Sequence, residues 1–333
     1  MLELFAMKIN LKNIIFVVFI TVFFLSCEKD ETQTSFKNDF IKQSVEPAIV
    51  GQKLEFKYAL GTLIGKLKSA SVEASIEGFA GTGFSRYSIY TDRGTGIDKN
   101  VLTVKDSITN GSVSTVQLVD TNAVTLRYYY VIPEAARGKK VYFEFSGINT
   151  SGDKVSMRTP EYNISKMDMK RNILLKDGGV CYFSIADMTA YTKEQVDGQN
   201  LSGKIDFVYL YKATMGMSGG AFGHSIVSLA NGNYVTSLSI PNSWTKLTTK
   251  MEKRIDNMKD GQLKGAPPTV FIDDIDLENP QFNSAADYAL TLSADQGALV
   301  QTQDRNYTSY LYVNKVDNAR KEMTISIKRL KIE

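Results

Sequence analysis

Between residues 54 and 147 the chain repeats one pattern. Short runs in which apolar and polar residues alternate are cut at close spacing by glycine, asparagine, aspartate or proline. LEFKYAL (Leu54–Leu60), SVEASIEGF, SVSTVQLV, VTLRYYYVI and VYFEFSG all obey a period of two. A half-buried strand has that period and a helix does not. In VTLRYYYVI, for example, Val124, Leu126, Tyr128 and Tyr130 share one side and leave Tyr129 on the other. NTSGDK reads as a hairpin turn, and PEAARGKK as a proline-started helical turn closed by Gly138. Seven short strands with such turns over residues 45–165 predict an all-β domain, an immunoglobulin- or fibronectin-like sandwich.

The charged connector KMDMKRN (Lys166–Asn172) marks a domain boundary, and residues 172–333 read as a second β-sandwich, jelly-roll-like or of another type. KIDFVYLY is almost continuously apolar, as a central strand would be. TKEQV is one helical turn with Thr192 as its N-cap. TVFIDDIDLENP, DYALTLS, TSYLYVNKV and EMTISIKRLKI complete the set of strands. The spacing of Trp244, Leu247, Met251, Ile255 and Met258, between Ser243 and Gly261, predicts a helix over 244–258.

At the N-terminus, Lys8 and Lys12 precede twelve uncharged residues, Ile14–Leu25. That run is too short to span a bilayer, which takes about 20 apolar residues, and suits the apolar core of a secretory signal. Leu25-Ser26-Cys27 resembles a bacterial lipobox, so residues 1–26 would be removed and Cys27 acylated. Two acyl chains anchor a protein stably. Glu28, Lys29, Asp30 and Glu31 resemble the acidic export signal of Bacteroides surface lipoproteins, which implies the outer leaflet of the outer membrane, facing outward. Residues 27–44 read as the lipidated cysteine and a flexible tether.

Together with the blocks TLRYYYVIPEAARGKKVYFEF and SKMDMKRNILL…CYFSIADM, these features resemble an uncharacterised family of Bacteroides surface lipoproteins of about 300 residues. The resemblance implies two β-rich domains at the cell surface and carries no catalytic residue across.

Composition narrows the chemistry. The chain has 333 residues and a formal charge of only +3, with the charges interspersed, which argues against nucleic acid as a partner. Beyond Cys27 the one remaining thiol is Cys181, so no intrachain disulfide framework exists, and Cys181 reads as a small buried hydrophobe. A single histidine, His224, rules out a histidine-rich metal site and leaves one possible triad base, though a structural role at a strand end fits it better. Asp273, Asp274 and Asp276 could supply oxygen ligands to Ca²⁺, but their spacing departs from the calcium-loop pattern. No other cofactor is indicated. The glycine-rich stretches Gly78–Phe84, Asp92–Gly96 and Met215–Gly223 read as loops.

Exposed aromatic rings are the natural platforms for sugar rings, and the candidates are Tyr87, Tyr90, Tyr129, Trp244, Tyr307 and Tyr310. The leading expectation is a non-enzymatic, surface-anchored lipoprotein that binds a glycan or glycoprotein, accessory to nutrient uptake. One alternative is a fimbrial or adhesive subunit that exchanges its last strand with a neighbour. The other is a glycoside hydrolase using two carboxylates.

Overall fold

The computed structural model describes residues 35–214, 221–236, 238–255, 259–265 and 270–332. The signal segment, Cys27 and the export-like residues 28–31 lie outside the described residues, as does most of the glycine-rich stretch at 215–220. The described chain is mostly β, with several antiparallel sheets forming two β-rich parts. None of its helices is long and apolar enough to cross a membrane.

The N-terminal part packs two sheets face to face. One runs in the order Phe36–Lys42, Lys53–Thr62, Ala123–Val131, Gly83–Phe84, and the other in the order Lys154–Arg158, Phe143–Asn149, Leu67–Ala74, Val113–Leu118, Val104–Asn110. The period-two runs send Leu54, Phe56, Tyr58 and Leu60 inward from one strand and Leu126, Tyr128 and Tyr130 from its partner, against Val72, Val116, Phe143 and Phe145. Aromatic rings dominate this core: Phe143 lies 4.8 Å from Phe56 and 4.9 Å from Tyr130, centroid to centroid. Each such ring stabilises by roughly 1.5–3 kcal/mol through burial. Tilted pairs add about 0.5–1.5 kcal/mol.

The tether expected over 27–44 ends earlier than its composition indicates. Phe36–Lys42 is a strand, paired in register from Phe36 opposite Thr62 to Lys42 opposite Phe56. Phe36 is buried, and Phe40 stacks on Phe145 at 5.5 Å, so two apolar anchors in a polar stretch suffice to hold it.

In the C-terminal part, one sheet runs Asp168–Lys176, Glu322–Lys331, Tyr307–Asp317, Gly297–Gln301, Lys250–Arg254, and the other Thr189–Tyr191, Tyr182–Ser184, Phe207–Thr214, Ala221–Val227, Tyr288–Leu292. The first sheet is covered on both faces. Leu311, Val313, Ile325 and Ile327 meet the second sheet. Tyr310, Tyr312 and Leu330 meet Leu263, Ile272 and Leu277 on and beside two short helices, together with Ile49 and Met167 from the junction between the parts. Double coverage explains why Thr308–Val313 is buried continuously rather than in alternation. Glu322–Lys331, the strand expected to be exchangeable, is hydrogen-bonded on both sides within its own sheet.

Two expectations fail here. The helix over 244–258 does not form: Pro241–Trp244 is a turn, 245–249 has no regular secondary structure, Lys250–Arg254 is a strand paired with Gly297–Gln301, and 256–258 lie outside the described residues. Thr245, Thr248 and Thr249 are β-branched, and their extended preference joins the ladder available to Lys250–Arg254. Conversely, the expected strand around Asp273 is a short helix, Asp274–Glu278. Asp273 caps it by accepting from the Ile275 and Asp276 amides, and Asp276 reaches back to the Asp273 amide at 3.0 Å. This reciprocal capping box was legible in the run of aspartates.

Candidate functional site

The described surface carries one element whose apolar side chains find no core. Tyr87–Thr91 and Asp98–Leu102 form a two-stranded ribbon outside both N-terminal sheets, in register from Tyr87 opposite Leu102 to Thr91 opposite Asp98. Tyr87, Ile89, Tyr90 and Leu102 are 49%, 45%, 55% and 43% exposed, and Val101 and Ile97 are also open to solvent. Alternation places Tyr87, Ile89 and Leu102 on the outward face and Ser88, Tyr90 and Val101 on the face toward the sheet.

The ribbon is fixed at both ends. At its root, Ser88 is buried, shares a 3.1 Å hydrogen bond with the Thr103 hydroxyl and donates to the Thr125 carbonyl. At its tip, Asp92 accepts from the Gly94 amide at 2.8 Å and pairs with Lys99 at 2.6 Å, while Thr91 donates to Asp98 at 2.6 Å. The Lys99 contact, with the Gly94 amide second, holds the Asp92 carboxyl below its ordinary range. Gly96 turns the chain at φ +67, a left-handed conformation that suits glycine. Between ribbon and sheet lies a groove of about 720 Å³, lined by Ser88, Tyr90 and Val101 on one side and Leu60, Ala123 and Thr125 on the other. Its walls are mainly apolar with a few hydroxyls, the usual make-up of a ligand pocket.

The other sequence candidates scatter. Tyr129 lies half-buried on the outer face of its sheet, flanked by the Lys53 ammonium at 5.6 Å and the Arg127 guanidinium at 5.4 Å, and lines neither the ribbon groove nor the C-terminal cleft. Trp244 is a core residue: its ring meets Tyr182 edge-on at 5.2 Å and its indole N–H donates to Asp197 at 2.6 Å. Tyr310 is buried beneath the short helices and cannot touch a ligand. Tyr307 is half-buried beside the Arg329 guanidinium, 4.9 Å from its ring, at the rim of a separate cleft. Tyr87 and Tyr90 belong to one ribbon but face opposite ways.

The aspartates proposed for Ca²⁺ are engaged otherwise. Asp273 and Asp276 cap their helix, and Asp274 accepts from the Ser165 hydroxyl at 2.6 Å. No group of three metal-ligating side chains is gathered among the described residues. His224 is buried between the Tyr209 hydroxyl on Nδ1, at 2.6 Å, and Asn318 on Nε2, at 2.9 Å, so both ring nitrogens are committed to the fold. Burial pushes the Cys181 thiol up to about 12, leaving it unreactive near neutrality.

Residues 33–164 match the family described as domain of unknown function DUF4466, and residues 165–332 match domain of unknown function DUF8576. A crystal structure of a DUF4466 family protein from Parabacteroides merdae is 37% identical, covers 90% of this chain and 99% of that one, and superposes with a TM-score of 0.81. The chain belongs to the DUF4466 family. More distant likenesses are a family 123 glycoside hydrolase from Clostridium perfringens (10% identity, 39% of this chain and 27% of that one, TM-score 0.26) and the major pilin subunit BcpA of Bacillus cereus (7%, 88% and 66%, 0.27). At those scores neither bears on what this DUF4466 protein does. No curated protein matches the sequence.

Sequence reasoning found Tyr87 and Tyr90 but missed Ile89, Val101 and Leu102. The available signal was a pair of alternating runs around DRGTG with apolar residues on both faces, which no single core could absorb.

Proposed function

We propose that this protein is a lipid-anchored cell-surface lipoprotein that binds an extracellular glycan or glycoprotein through the ribbon Tyr87–Leu102, as an accessory to nutrient uptake. The ribbon supports this reading: it holds tyrosine and aliphatic side chains in solvent on both faces while pinned at root and tip. Apolar exposure costs solubility unless a partner covers it. Tyrosine suits a ligand that is apolar on one side and hydroxylated on the other. The lipobox-like Cys27 and the acidic residues behind it supply the outer-membrane address. In this reading the N-terminal part is an immunoglobulin- or fibronectin-like sandwich and the C-terminal part a jelly-roll-like one.

Strand exchange with a neighbouring subunit carries a heavier requirement, since Glu322–Lys331 would have to leave two ladders at once. The test is a glycan-array screen of the mature chain beside a Tyr87→Ala/Tyr90→Ala double variant and a His224→Ala control. Binding to a defined set of glycans is expected, weakened about tenfold or more by the double variant and unchanged by the control. Binding to no glycan, with a tight protein partner instead, would reject the glycan assignment.

A further inference from the structure

A second depression lies in the C-terminal part, and its chemistry is unlike the ribbon's. It is a cleft of about 250 Å³, lined by Lys204, Asp206, Leu247, Gln303, Asp304 and Tyr307. Asp206 opens the central strand Phe207–Thr214, yet its side chain is almost wholly buried, 3% exposed. One carboxylate oxygen accepts the Ile185 amide at 2.7 Å. The other takes no hydrogen bond from any described residue and is not among the polar atoms sealed from solvent, so it is open to a partner in the cleft.

The opposite wall is the tight turn Thr302–Tyr307. Asp304 is fixed there by the Thr302 hydroxyl at 2.6 Å and the Asn306 amide at 3.0 Å. Gln303 uses its carbonyl oxygen on the Thr248 amide at 2.6 Å, which leaves its amide N–H₂ as an available donor. Tyr307 closes one end with its ring, beside Arg329. Lys204 stands at the rim, 3.7 Å from Asp187. A small cavity with a donor amide, an accessible carboxyl oxygen and an aromatic ring matches the pattern of hydroxyls around an apolar ring face.

We propose that this cleft is a binding subsite for a single sugar ring, held between Gln303, Asp206 and the Tyr307 ring. Burial, with the Asp304 and Asp187 charges adding to it, raises the Asp206 carboxyl to about 7 against the opposing Ile185 hydrogen bond. Asp304 goes the other way: hydrogen bonds from Thr302 and Asn306 outweigh its burial and hold it low. Asp206 therefore keeps its proton over most of the acidic range and can donate to a sugar hydroxyl, while Asp304 accepts. The choice of ligand class rests on the glycan reading above, but the site is separate from the ribbon.

The experiment is a titration of the mature chain with free glucose, galactose, mannose, N-acetylglucosamine and fucose, followed by saturation-transfer NMR and calorimetry. At least one should bind saturably. Gln303→Ala, an exposed and structurally mild change, and Tyr307→Ala should each weaken that sugar about tenfold. Asp206→Asn, which keeps the Ile185 acceptor and supplies a donor, should retain it. Tyr87→Ala/Tyr90→Ala should leave it untouched, so loss of ribbon binding and loss of cleft binding are told apart. No saturable binding by any of the five sugars, or binding that survives both Gln303→Ala and Tyr307→Ala, would overturn the proposal.

Discussion

A buried carboxyl that keeps its proton places a sign on the pH dependence of stability. Asp206 titrates near 7 in the folded chain, against about 3.9 for an unfolded aspartate. Between those values the unfolded chain releases a proton that the folded chain retains, so raising the pH favours unfolding across that window, and the effect levels off above 7. Asparagine at 206 has no proton to release. Urea unfolding of the wild type and Asp206→Asn at pH 5 and pH 8 should show the variant gaining on the wild type at the higher pH, on the order of 2–4 kcal/mol. An equal difference at both pH values would mean that Asp206 is ionised throughout. At this scale the sequence was partly readable. An aspartate inside KIDFVYLY is a warning of a special environment, but its raised titration comes from burial and from Asp304 and Asp187, which only the fold brings near. The tyrosines were less readable, because Tyr310 and Tyr87 look alike in sequence and differ only in what covers them.

At the level of elements, the strands Lys53–Thr62, Leu67–Ala74, Val113–Leu118, Ala123–Val131 and Phe143–Asn149 followed from their alternation, since a period-two run with one buried face admits one orientation. Thr192 as an N-cap also followed: its hydroxyl and Gln195 form a capping box on Lys193–Gly198. The segment 244–258 misled because its apolar residues fall at helical spacing while its partner strand, Gly297–Gln301, lies far along the chain. The two short helices near 261–278 owe their position to a pair that no local pattern announces. Lys328, fully buried on Glu322–Lys331, donates to Asp260 at 2.7 Å and to the Ile272 carbonyl at 2.8 Å, and Asp260 also receives the Leu263 and Ile272 amides. Removing one member strands a buried charge. Lys328→Met should therefore cost about 3–5 kcal/mol in chemical denaturation. A loss below about 1 kcal/mol would show that solvent reaches Asp260.

Across the whole molecule, the two β-rich parts share a core. Ile49 and Met167, both fully buried, join Leu263, Ile272 and Tyr310. Arg137 binds Asp168 at 2.9 Å and the Lys166 and Met167 carbonyls, and Gln262 donates to the Pro47 carbonyl at 3.1 Å. Contacts of this kind couple the parts, so one cooperative transition is expected by calorimetry. Met167→Ala should lower stability by about 2–4 kcal/mol. Two separated transitions, with only one moved by Met167→Ala, would contradict the coupling. At the other end of the chain, Cys27→Ala should release the protein from the membrane fraction and abolish incorporation of a labelled fatty acid, whereas unaltered membrane retention would remove the proposed anchor.

The claim on which the functional account turns is that the ribbon is the surface a ligand covers. Hydroxyl-radical footprinting of the mature chain, with and without a mixture of polysaccharides and mucin glycoproteins, reads this residue by residue. Tyr87, Tyr90 and Leu102 should be reactive in the free protein and protected when the mixture is added, with Tyr310 silent in both. Unchanged reactivity along the ribbon while another surface becomes protected would contradict the account.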